Sequence, residues 1–368
     1  MHRRSLLALA TSSLAFFTFG VTESRADDYR VTGPVVHENL AIYLVHGTSA
    51  AGPVPLTLEE ALAKRAVKVH ETGNVNELQI ENLGNDDVFV QSGSIVKGGQ
   101  QDRVLTSSLL LPPRSGRVNI ASFCVEQGRW TARGKEDVKT FASASAVVPS
   151  REAKLAMKAP DVAAAAPSTS PTARIDPLSG IVRERAASAR SYAGQDTGGR
   201  QQRVWAKVRE VQDGLSSNLG VTVNSAASQS SLQLALENEK LRDAQATYLA
   251  TLQPVGEKDT DVVGYIFAIN GKLNSAEIYP SNGLFRKMWP KLLQASITEA
   301  IGAKNAGGET TPPKEDAGAF LDEATKGKSS EKPLTTEVRL ETREGDKAFY
   351  FETRRASGDW VHRSYLAR

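Results

Sequence analysis

FVQSGSIVKGGQQDRVLTSSLLLPPRSGRVNIASFCVEQGRW, residues 89–130, decides the fold class, because short runs of β-formers alternate in it with turn residues. Val88 to Val90, Val104 to Leu111 and Val118 to Val125 read as strands, with glycines and the Pro112-Pro113 pair between them. Strands so short and so closely spaced predict an antiparallel, sandwich-like sheet. The stretch also carries chemistry. Lys97, Gly98, Gly99, Gln100, Gln101, Asp102 and Arg103 follow one strand, and Glu126, Arg129 and Trp130 follow another. Polar groups beside a glycine pair at strand ends are where β-folds place their sites.

Toward the N-terminus, Ala41 to Val45 is rich in β-formers, and Leu78 and Ile80 alternate with Glu77, Gln79 and Glu81 as in a half-buried strand. Thr57 stands where it can cap a short helix, Leu58 to Leu62, with acids in the first turn. Toward the C-terminus the composition changes. Ala, Ser and Pro dominate residues 142–177, a segment with too little apolar bulk to offset its ordering entropy, which predicts a flexible excursion. Helical stripes follow, Val204, Val208, Val211 and Leu215, then Leu241, Ala244, Tyr248 and Leu252, each spaced to form a packing face. Asn270-Gly271-Lys272 predicts a hairpin between Val262 to Ala268 and Asn274 to Ile278. A helix is expected from about 282 to 301, bent or reset at Pro290. Residues 304–333 read as a polar linker and 334–368 as a C-terminal β-hairpin segment. The chain is therefore expected to be α+β: an antiparallel β-sandwich-like core with an inserted helical section, composite over 27–303, and a C-terminal β-hairpin.

The first residues speak to compartment. His2-Arg3-Arg4 is a basic start, residues 6–21 are uncharged and mostly apolar, and Ser24-Arg25-Ala26 offers small residues for cleavage after Ala26. An exported protein, periplasmic or extracellular, is expected, by the general or the twin-arginine route. No later segment has the length of a transmembrane helix. The formal charge is +3, too near neutral to suggest nucleic acid as a partner. Cys124 is the single cysteine, so no intramolecular disulfide forms and stability rests on an ordinary core.

Candidate chemistry centres on the quoted stretch. Lys97 precedes its glycines, which excludes a Walker phosphate loop. Either the backbone amides there approach a ligand with Lys97 as counter-charge, or the glycines serve a turn that needs positive φ. Arg103 and Glu126 are expected near the same end of the sheet, as an ion pair or as a site for a planar, anionic or ribose-bearing ligand. Trp130 stacks on a ring or caps the core, and Asp102 with Glu126 are the candidate acid–base residues. Cys124 shares a strand face with Val118, Ile120 and Ser122 and reads as a small buried hydrophobe. His37, His46, His70 and His362 are scattered, with no metal-ligand spacing, and no Gly-x-Ser-x-Gly is present. The residues name no cofactor.

NVNELQIENLG (residues 74–84), VFVQSGSIVKGGQQDR (88–103), LLPPRSGRV (110–118), FCVEQGRW (123–130) and YIFAINGKLNSAEIYPSNGLFRKMWPKLLQ (265–294) resemble the ADP-ribosylglycohydrolase- and rhodanese-phosphatase-superfamily-associated protein domain. The resemblance covers roughly residues 36–303 and leaves the C-terminal hairpin outside it. It implies association with ADP-ribose and NAD metabolism, and no reaction, so it transfers no catalytic residue. Three functions compete: a binding domain for a nucleotide- or sugar-type small molecule or an envelope protein, a hydrolase of an ADP-ribose-like or glycosidic bond, and a structural envelope protein.

Overall fold

A computed structural model describes residues 29–129, 131, 133–134, 136–158, 197–304 and 310–368. The expected leader, the Ala/Pro tract at 163–171 and Trp130 lie outside the described residues. The antiparallel strands β1 (Arg30–His37) and β2 (Leu40–His46) come first, and β3 (Leu56–Thr57) leads into α1 (Leu58–Ala63). The Glu60 backbone N–H donates to Thr57 Oγ1 at 3.2 Å, and the Thr57 N–H donates to Glu60 Oε2 at 2.8 Å, a reciprocal capping box. Thr57→Ala is expected to cost about 1 kcal/mol, read as a lower midpoint in chemical denaturation. An unchanged midpoint would mean that burial of Leu58 and Ala61 holds the helix without its cap.

β4 (Val67–Glu71), β5 (Glu77–Asn82), β6 (Val88–Val90), β7 (Ser94–Gly98), β8 (Arg103–Leu105), β9 (Leu109–Leu111) and β10 (Gly116–Cys124) follow. The strand expected over 104–111 is split, because Thr106, Ser107 and Ser108 leave the ladder between β8 and β9. Hydroxyl side chains bond nearby backbone there: the Ser92 hydroxyl donates to Thr106 O at 2.8 Å, and Ser108 Oγ accepts from the Ser92 N–H at 3.0 Å. The split sends β8 and β9 into different sheets.

β11 (Phe141–Val147) and α2 (Arg151–Lys158) occupy the start of the segment expected as a flexible excursion. Phe141, Val147, Val148, Ala153 and Met157 are buried there, enough apolar surface to fix it. Next come α3 (Thr197–Leu219), α4 (Leu232–Leu236), α5 (Glu239–Glu257), β12 (Val262–Ile269) and β13 (Lys272–Ile278). Asn270 and Gly271 turn the hairpin with φ of 48° and 72°, the left-handed pair of a type I′ turn. α6 (Asn282–Gly302) runs through Pro290. α7 (Lys314–Ala324) and β14 (Lys328–Pro333) stand where a linker was expected, since Ala317, Phe320, Leu321 and Ala324 give α7 a buried face. β15 (Val338–Glu344), β16 (Ala348–Arg355) and β17 (Trp360–Ala367) are the last of the described elements.

The strands form an eight-stranded antiparallel sheet, β1-β2-β12-β13-β17-β16-β15-β14, a six-stranded sheet, β11-β7-β8-β10-β5-β4, and a three-stranded sheet, β3-β6-β9. The C-terminal hairpins extend the large sheet, with β17 on β13 in the register Ala276↔Tyr365. β2 shows why that sheet sits mid-molecule. Leu40, Ile42 and Leu44 share one core with α3, α5 and α6, while Ala41, Tyr43 and Val45 share a second with α7. A bulge between Val262 and Gly264 resets the face of β12, so that Val262 and Tyr265 both join the first core.

Candidate functional site

The structure gathers most of the residues singled out in the sequence into one buried ion-pair network. Arg103 pairs across the strands with Cys124, which puts Arg103 and Glu126 near the same sheet end as expected. They do not pair with each other. Arg103 reaches Glu71 at 3.5 Å and donates to Gln101 O at 3.0 Å. Glu126 instead takes Arg129 at 2.8 Å and Arg133 at 3.4 Å. Arg133, which the sequence did not single out, also donates to both oxygens of Asp102 at 3.0 Å. Ser231, the N-cap of α4, donates its hydroxyl to Asp102 Oδ2 at 2.8 Å.

Asp102, Arg103 and Glu126 are 0% exposed, so the candidate acid–base carboxylates are sealed among arginines. The glycine pair serves the same network. Gly98 and Gly99 have φ of 118° and 54°, and a Cβ on Gly99 would lie 2.3 Å from the Phe141 ring. The Gly98 N–H donates to Asp102 Oδ1 at 3.0 Å, and Arg129 donates to the carbonyls of both glycines. Asp102 itself is thus the anion at this turn. Lys97 is taken by Glu237 at the end of α4, at 2.8 Å, and the Gln100 N–H lies 3.5 Å from Glu71 Oε2. Cys124 is buried, and burial pushes its thiol up to about 11, so it stays protonated at neutral pH.

A cleft of about 130 Å³, partly open to solvent, lies elsewhere. One wall comes from the β8–β9 break and β10, the other from β14 to β17, with the end of α2 and the start of α3 at its rim. Its described lining carries Lys158, Arg200 and Lys332, eight serine and threonine residues, and no carboxylate. Burial pulls the Lys158 ammonium down to about 8, against the attraction of Glu277 and with a further push from Lys154. Lys158 also sits 4.8 Å over the Phe351 ring. Lys332 is exposed as a residue, yet burial of its ammonium and repulsion from Arg200 hold its pKa down. Among the described residues, the buried hydroxyls of Ser122 and Ser364 on this lining have no hydrogen-bond partner.

At the inner end stand three groups far apart in sequence. Ser108 Oγ is 2.9 Å from His362 Nδ1, and Glu277 Oε2 is 3.0 Å from His362 Nε2. The backbone N–H of Ser92 donates to Ser108 Oγ at 3.0 Å. Lys154 lies 3.6 Å from Glu277 Oε1. Phe89 and Tyr279 hold the imidazole ring, with centroids at 5.8 and 5.0 Å. Burial depresses the His362 pKa more than Glu277 raises it, so the ring is neutral at pH 7.

The profile of the ARG and Rhodanese-Phosphatase-superfamily-associated Protein domain matches residues 28–366. The chain belongs to that family. No curated protein and no solved structure matches the chain. The ARG and Rhodanese-Phosphatase-superfamily-associated match extends well past residue 303, the end of the resemblance in sequence, and takes in β14 to β17. Sequence reasoning missed Ser108, Glu277 and His362 because no local spacing joins them. Strand pairing alone brings them together, and the Ser107-Ser108 pair inside an apolar run was the one available signal.

Proposed function

We propose that this chain is a binding domain for a small anionic ligand, seated in the cleft between the β8–β9 break and β14 to β17. The carrying observation is the lining: three cationic side chains and many hydroxyls converge there, with no carboxylate among the described lining residues. Burial lowers the pKa of both Lys158 and Lys332, with Arg200 adding to the effect at Lys332, and an incoming anion offsets that cost. The hydroxyls suit a ligand rich in hydroxyl or phosphate oxygens. A nucleotide- or sugar-type molecule fits this chemistry, and the ADP-ribose association of the family makes ADP-ribose the first to test. The basic start, apolar run and Ser24-Arg25-Ala26 support export, and no described helix is long and apolar enough to cross a membrane.

Calorimetric titration with ADP-ribose and with inorganic pyrophosphate tests the reading. Lys158→Ala and Lys332→Ala are each expected to weaken binding about tenfold, on the order of 1.4 kcal/mol. Lys158 is charged below its pKa of about 8 and loses that charge above it. Affinity is therefore expected to fall as pH rises through 8, and to lose that dependence in Lys158→Ala. Glu277, Lys154, Arg200, Lys332 and His362 are the other charged or titratable groups around the cleft. No heat with any anion, or heat indifferent to both variants, would sink the proposal. Closed ion pairs around Asp102 and Glu126 support a structural role for that cluster.

A further inference from the structure

We infer that Ser108 is a nucleophile for cleaving carboxylic esters that bear an anionic group, with His362 as its base and Glu277 as the residue that positions the imidazole. The inference rests on the cleft being a ligand site. Its own support is the hydrogen-bond order around Ser108. The Ser92 N–H occupies one lone pair of Ser108 Oγ, and His362 Nδ1 stands 2.9 Å away as the acceptor of the hydroxyl proton. For Nδ1 to accept, Nε2 must carry the ring proton. The Glu277 carboxylate, with Oε2 at 3.0 Å in an ion-pair contact, favours the proton there electrostatically, against the Gln91 amide N–H at 3.4 Å, which the Tyr279 hydroxyl bond to Gln91 Oε1 turns toward the same nitrogen. A serine, a base and a carboxylate that orients the base form a nucleophile-activating set recognised by geometry, whatever the order of its members in the chain.

A second observation ties the set to a ligand. Ser108 and His362 both line the cleft, beside the buried and unpartnered hydroxyls of Ser122 and Ser364 and the cation of Lys158. Three polar groups buried only to join two sheets would have no need of a cleft wall, and apolar residues of the same size often stabilise such a joint better. In the reaction, Ser108 Oγ bonds to the ester carbonyl carbon while its proton passes to His362 Nδ1. The carbon–oxygen bond to the alcohol then breaks, and the alcohol leaves with that proton. Water, deprotonated by His362, attacks the acyl-serine. The carboxylic acid departs and Ser108 recovers its proton. Lys158 holds the anionic group of the substrate.

Labelling with a fluorophosphonate, which an activated serine attacks with loss of fluoride, reads the nucleophile directly. One adduct is expected per molecule, located at Ser108 by peptide mass spectrometry. Ser108→Ala is expected to abolish it, and His362→Gln to slow it by about a hundredfold or more. Glu277→Gln is expected to slow labelling and to change its pH profile, which a purely structural glutamate would not do. Ser108→Cys provides a second variant, in which iodoacetamide is expected to alkylate residue 108 ahead of Cys124, whose thiol is buried. Folded wild-type protein that takes no label, or takes it elsewhere, overturns the inference. Pyrophosphate binding measured on the same samples separates the two ideas. Binding without labelling leaves the ligand cleft standing and removes the nucleophile, whereas absence of both removes the cleft reading as well.

Discussion

Glu277→Ala is expected to lower the folding free energy by about 3–5 kcal/mol, the usual penalty for removing one partner of a buried ion pair. The carboxylate is 2% exposed and faces Lys154 on one side and His362 on the other, so its loss strands the Lys154 ammonium inside the protein. Denaturant melts of wild type and variant check this. Loss below 1 kcal/mol would show that water or a neighbouring group replaces the carboxylate. The pair also sets a pH dependence. Burial pushes the Glu277 carboxyl up, but His362 and then Lys154 hold it down at about 2. Its unfolded value is near 4.5, so its contribution is complete above pH 4.5 and is lost as pH falls toward 2. The shift corresponds to about 3 kcal/mol. His362 acts in the same direction, because its depressed pKa means that acid protonates the unfolded chain first. Glu277→Gln should flatten the acid limb of stability below pH 4.5.

Asp102→Ala is the second large effect, again about 3–5 kcal/mol. Asp102 accepts from the Gly98 N–H, two nitrogens of Arg133 and the Ser231 hydroxyl, and it lies 3.6 Å from Arg129. Removing it leaves two arginines, each about nine-tenths buried, with Glu126 between them and Glu136 on Arg133 alone. Asp102→Asn keeps the shape and should cost less, since its amide still accepts one or two of these bonds. Ligand titration by the same protein should be unchanged relative to wild type at temperatures where the variant is folded. If Asp102→Asn abolished ligand binding while leaving stability intact, the function would belong to this cluster and not to the cleft.

The sequence was legible where periodicity or turn chemistry is local. Thr57 caps α1, Asn270-Gly271 turns β12 into β13, and the Val204 and Leu241 stripes are buried faces of α3 and α5. It was also legible that polar residues around Lys97 to Arg129 meet, because adjacent strands carry them. What they do there was not, because an arginine–carboxylate cluster looks alike in sequence whether it is sealed or open. Arg133 lies beyond the last strand-like residue and offers no pattern. The linker reading of 304–333 failed because composition alone hid the buried spacing of Ala317, Phe320, Leu321 and Ala324. The cleft was least legible, since its walls are about 250 residues apart in the chain, as the Ser108–His362 contact shows.

That separation has a consequence for biosynthesis. Until residues 360–367 leave the ribosome, β13 has no β17 beside it, and the ladder through Ser275 to Ile278 is an open edge. A nascent chain therefore holds Ser108 with no imidazole to meet it and an unsatisfied strand inviting intermolecular pairing. Chaperone binding during translation would cover that edge for as long as the last strand is missing.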